Sequence, residues 1–172
     1  MEGASPSPSP TTQMTMAEQI RRGDLLEQAS APVWAYLKGK SDGDHDPAFA
    51  RSIVDYERLT LQVMWKGKPP PKIQAMEGTT ASGVRVPIVN VPYSQGDITS
   101  AGRKVFAAAN EGDFPLPVSS GANLAFDGLK VAFTVVQLET MDREAVAQQI
   151  KRLTGIPATI VAGEVGVPLA YP

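Results

Sequence analysis

The sequence predicts an α+β fold: a small antiparallel or mixed sheet with packed helices, preceded by a disordered N-terminal tail. Three features lead there. Two segments carry apolar residues at every second position, as half-buried strands do. The later of them runs straight into an amphipathic helix. Strands and helices nowhere alternate with the regularity that a doubly wound parallel sheet requires.

From the N-terminus, Ser5-Pro6-Ser7-Pro8-Ser9-Pro10 favours extended backbone and offers nothing apolar to bury, so residues 1–14 are expected to form a solvated tail. Thr15-Met16-Ala17-Glu18 has the form of a capping box. The helix it opens places Ile20, Leu25, Leu26 and Ala29 roughly on one face; Gly23 weakens it and Pro32 is expected to end it. The apolar cluster Val33 to Leu37 should dock on the main body as a helical turn. Residues 39–47, rich in Gly and Asp, read as a surface loop. Residues 15–53 are therefore an N-terminal helix and acidic loop, and 54–172 the α+β core domain.

Within that core, Leu59, Leu61, Val63 and Trp65 alternate with Thr60 and Gln62, a strand pattern stopped by Gly67-Lys68-Pro69-Pro70-Pro71. Val84 to Val91 predicts a second strand, at a sheet edge because Pro87 and Pro92 cannot donate to a ladder. Asp97 or Thr99 is expected to cap a helix that ends around Asn110-Glu111-Gly112. Residues 129–138 predict the clearest strand, with Leu129, Val131, Phe133 and Val135 on one face. Thr140 should cap the helix that follows, with Asp142 and Glu144 in its first turn, Val146, Ile150 and Leu153 as its apolar stripe, and Gly155 just past its end. Ile156 to Val161 is expected to add a last strand.

The composition, 42% hydrophobic and 20% charged, suits one globular domain plus a tail. There is no Cys, which removes disulfides, thiolate catalysis and Cys-based zinc sites together and fits a reducing intracellular compartment. No run approaches the roughly 18 apolar residues of a membrane span, and the first residues lack the pattern of a signal peptide. An intracellular protein without a transmembrane segment is expected.

The only histidine, His45, stands between Asp44 and Asp46 in the Gly-rich loop. Adjacent residues rarely converge on one ion, and no second His or Cys can close the site, so an exposed loop histidine is the plain reading. Asp42, Asp44 and Asp46 have EF-hand-like spacing without the central Gly or the later Glu. Ser119-Ser120-Gly121 is not a nucleophile elbow, and no phosphate-binding loop of the Gly-Lys-Ser/Thr type occurs. No catalytic residue, metal or cofactor is expected.

Charge is segregated. Residues 1–57 carry a net −4, residues 58–104 a net +5 and residues 105–172 a net −3, which together give the chain's −2. The basic middle supplies the candidate membrane- or phosphate-binding residues: Arg58, Trp65, Lys66, Lys68, Lys72, Arg85, Arg103 and Lys104. Trp65 beside lysines on a Pro-stiffened loop is suited to anionic lipid headgroups or a phosphate backbone. Gly102-Arg103-Lys104 near a helix start is suited to a phosphate. An acidic front and back around a basic middle also favours head-to-tail self-association.

From Tyr56 to about Leu153 the chain resembles the matrix proteins of rhabdoviruses, especially the short ones of plant viruses. The resemblance rests on Tyr56-Glu57-Arg58 leading into an alternating strand, then a Pro-containing turn. It rests also on the Gly-led strand Phe126-Asp127-Gly128-Leu129-Lys130-Val131-Ala132-Phe133-Thr134-Val135, followed directly by a helix. The sequence departs from that family in its acidic rather than Lys-rich tail, and Pro69-Pro70-Pro71-Lys72 is not a Pro-Pro-x-Tyr motif. The resemblance implies a non-enzymatic assembly protein that bridges a nucleocapsid and a membrane surface, self-associates, and touches anionic lipid or RNA through the basic segment. A small nucleic-acid-binding regulator acting as a discrete dimer is the alternative.

Overall fold

The computed structural model describes residues 14–38 and 46–163. The Ser/Pro run, the loop residues Asp42, Asp44 and His45, and residues 164–172 lie outside the described residues. The fold is α+β, with five helices and two mixed sheets among the described residues.

Helix α1 (Met16–Lys38) starts where expected: the Glu18 amide donates to Thr15 Oγ1 at 3.2 Å. It does not end at Pro32, which sits inside the helix. Pro32 faces solvent, where water can satisfy the Gln28 carbonyl that a proline cannot pair. The helix therefore reaches Leu37, and its buried stripe is Leu26, Ala29, Val33 and Leu37. Ile20, expected on that face, is 58% exposed. Arg22 donates to the Tyr56 and Glu57 carbonyls at 2.9 and 2.6 Å, fastening the start of α1 to the turn that follows the next strand.

That strand, β1 (Phe49–Asp55), forms an antiparallel hairpin with β2 (Thr60–Lys66), so the residues either side of position 53 share one strand. β1 shows no clean alternation because both its faces are partly covered: Phe49 packs toward α1 while Ala50 and Ile53 pack on the opposite side. The same holds for β2. Leu61, Val63 and Trp65 face α1, and Met64 is buried on the other side. After a one-turn helix, α2 (Pro71–Gln74), come β3 (Gly78–Thr79), β4 (Arg85–Val86) and β5 (Ile88–Val91). Pro87 splits β4 from β5, both of which run parallel to β2, and its carbonyl accepts from the Val63 amide. β5 pairs with β2 alone among the described residues, which is the edge position that Pro87 and Pro92 require.

Helix α3 (Gln95–Glu111) is capped neither by Asp97 nor by Thr99 but by Ser94. Asp97 is the third residue of a reciprocal capping box: its amide donates to Ser94 Oγ, and its carboxylate accepts from the Ser94 amide. Gly112, at φ 93°, ends the helix. α3 packs on β1, on β6 (Ser119–Ala122) and on α5 (Arg143–Thr154), so it joins the two sheets. Its Gly102 permits that approach; a Cβ there would lie 2.7 Å from Ser120 Oγ.

The second sheet has order β6, β7 (Leu129–Phe133), β8 (Ala158–Ala162). β7 stops at Phe133 rather than continuing to Leu138, because Thr134 and Gln137 form a second capping box that opens α4 (Val135–Thr140). Val135 is 60% exposed, not on the buried face. The next helix, α5, is capped by Asp142, whose Oδ1 accepts from the Ala145 amide at 3.0 Å, and not by Thr140. Val146 and Ile150 are buried, Leu153 is part exposed, and Gly155 terminates the helix at φ 77°. β8 returns parallel to β7, as a helical crossover allows.

Candidate functional site

The candidate residues fall at opposite ends of β2. Arg58 lies in the turn before the strand, 3.9 Å from Asp55, and Arg85 pairs in register with Thr60. Lys66 ends the strand and Lys68 lies in the turn beyond, where Asn90 Nδ2 donates to the Gly67 carbonyl at 3.0 Å. Seven residues at about 3.3 Å each separate these ends by roughly 20 Å. The basic segment is therefore two clusters, not one surface. Lys72 is exposed on α2.

Trp65 does not present its ring to a partner. It is 1% exposed and meets Phe49 and Tyr36 edge-on, with ring centroids 5.8 and 6.1 Å away. Strand alternation turns Trp65 inward wherever Lys66 points outward. Arg103 and Lys104, neighbours in sequence, line different recesses. Arg103 borders a groove of about 550 Å³ between α3 and β6, with Phe106, Asn110 and Ser120. Lys104 belongs to the Lys66 end.

There the structure builds a recess of about 280 Å³, bordered by Lys66, Tyr93, Asp97, Ser100, Lys104 and Thr154. Asp97, Ser100 and Lys104 are spaced by three and four residues, which stacks them on one face of α3. Lys66 Nζ donates to Asp97 Oδ2 at 2.7 Å. Burial pushes the Asp97 carboxyl up, but the bonds from Lys66 and Ser94 outweigh it and hold the group below its ordinary value. Gly155 and Ile156 close the recess from the end of α5. Two lysines from distant segments, one ending β2 and one on α3, thus border one recess. The spacing of Asp97, Ser100 and Lys104 was the signal readable in the sequence.

Of the aspartates in the Asp-rich loop, Asp46 is described. It is buried, accepts from the Ala48 amide at 2.9 Å and from the Tyr36 hydroxyl at 3.2 Å, and so fixes the entry to β1. Among the described residues no three of His, Asp and Glu gather as a metal site, and no helix is long and apolar enough to cross a membrane. No protein-family model matches this sequence, and a search of curated proteins finds no match.

Proposed function

We propose that this chain is a non-enzymatic assembly protein, matrix-like in role, which bridges a nucleocapsid and a membrane surface and associates with copies of itself. The observation that carries the reading is the meeting of Lys66 and Lys104 on one recess, with Lys68 in the adjoining turn. Such a cluster concentrates positive potential where a polyanion can approach. At the other side of the molecule, α1 and the end of β1 form a groove of about 520 Å³ that exposes Met16, Ile20, Val54 and Tyr56 beside Asp24 and Glu27. An apolar groove bordered by Asp24 and Glu27, on a molecule that carries Lys66, Lys68 and Lys104 at the other end of β2, supports head-to-tail contact between copies; such contacts grow into chains.

The test is flotation with anionic vesicles, RNA retention and sizing at low salt. Binding to at least one anionic partner, with concentration-dependent growth in size, is the expected result. A protein that floats with no vesicle, retains no RNA and remains monomeric at all concentrations is not an assembly protein of this kind. Charge reversal at Lys66, Lys68 and Lys104 should abolish binding, whereas reversal at Arg58 and Arg85 should leave most of it.

A further inference from the structure

We infer that the recess bordered by Lys66, Ser100 and Lys104 is a binding site for one phosphodiester group of a single-stranded nucleic acid. This rests on the reading that the lysine-bearing end of β2 meets an anionic partner, and it names that partner's chemistry. Lys66 and Lys104 bring two positive charges to the rim and Asp97 one negative charge, a net of one, which matches the single charge of a phosphodiester. Asp97 holds Lys66 in place at 2.7 Å, leaving the other ammonium protons free to donate to a phosphate oxygen. Ser100, one turn before Lys104 on α3, adds a hydroxyl, and Tyr93 adds an aromatic ring to the same wall.

A bilayer is the less suitable partner. None of the strongly exposed large apolar side chains borders the recess, and Trp65, the aromatic nearest in sequence, is in the core. A positively charged recess with an aromatic wall is the arrangement that sequence-tolerant single-strand binding uses.

The experiment is fluorescence anisotropy of a short labelled oligouridylate with the full chain across a salt series, and parallel flotation with phosphatidylserine vesicles. Lys104→Gln should weaken oligonucleotide binding several-fold and lower the salt slope by about one. Ser100→Ala should weaken it a few-fold without changing the slope, because a hydrogen bond and not a charge is lost. Arg58→Gln, with the same charge change at the far end of β2, should do little. If Arg58→Gln and Lys104→Gln cost the same, or Ser100→Ala costs nothing, the lysines act as diffuse charge and the recess is not a site. Vesicle binding without oligonucleotide binding overturns the nucleic-acid assignment and leaves the assembly reading intact. Binding to neither, with no self-association, sinks both.

Discussion

Lys66 at the end of β2 and Asp97 in the first turn of α3 meet at 2.7 Å, and the same carboxylate closes the capping box of α3 by accepting from the Ser94 amide at 2.8 Å. One side chain thus ties strand to helix and caps the helix. Asp97→Ala is expected to cost about 1–2 kcal/mol, most of it from the cap, since the ion pair is partly exposed and contributes little by itself. The carboxyl titrates below its ordinary 3.8 in the folded protein. Its contribution is therefore complete above the unfolded value and is lost as pH falls through the lower folded one. Urea midpoints should differ between wild type and Asp97→Ala at neutral pH and converge in strong acid.

Trp65 fills the core between α1 and the first sheet, against Phe49 and Tyr36. Truncation to Ala should cost about 3–5 kcal/mol, as for other large buried aromatics. With Trp34 replaced by Phe, the remaining Trp65 emission should be blue-shifted and unchanged by anionic vesicles. A vesicle-dependent shift would show that the ring leaves the core.

Pro32 stands in the middle of α1 with its ring toward solvent. Pro32→Ala restores a helix bond from residue 32 to the Gln28 carbonyl and removes a steric conflict. The expected gain is about 1–2 kcal/mol, less than the full penalty of an interior proline because the wild-type unfolded chain is also stiffer. The urea midpoint should rise with no change in the slope of the transition.

Gly128 precedes β7 at a close crossing. A Cβ there would fall 2.9 Å from the Pro157 carbonyl oxygen, which accepts from the Leu129 amide at 2.7 Å. Backbone cannot yield as a side chain would. Gly128→Ala should cost about 1–3 kcal/mol by displacing β8 from β7, read as a lower melting temperature with faster hydrogen exchange in residues 158–162.

Local chemistry made several elements readable in advance. Thr15 and Glu18 marked the start of α1, Gly112 and Gly155 the ends of α3 and α5, and Pro87 an edge strand. Other signals were present but outcompeted. Val135 and Val136 suggested a continued strand, while Thr134 and Gln137 carried the capping box that ends it. Asp97 and Thr99 looked like caps because each is a good one; the chain chose Ser94, whose hydroxyl reaches the Asp97 amide. β1 was invisible because alternation requires one wet face, and both of its faces pack.

What the sequence determined by itself is whatever depends on neighbours a few residues apart: capping boxes, the glycine stops, the period of β2 and the α+β class. What the tertiary structure alone decided depends on which segments meet. The strand period set Trp65 opposite to Lys66, but only the packing of α1 on β2 shows that the Trp65 side is the core. Likewise, charge counted along the chain joined Arg58 to Lys66. β2 holds the two apart along its length, and the packing of α3 against α5 brings Lys104 and the end of α5 to the recess that Lys66 borders. Electrostatic partnership follows distance through space, and sequence separation does not report it.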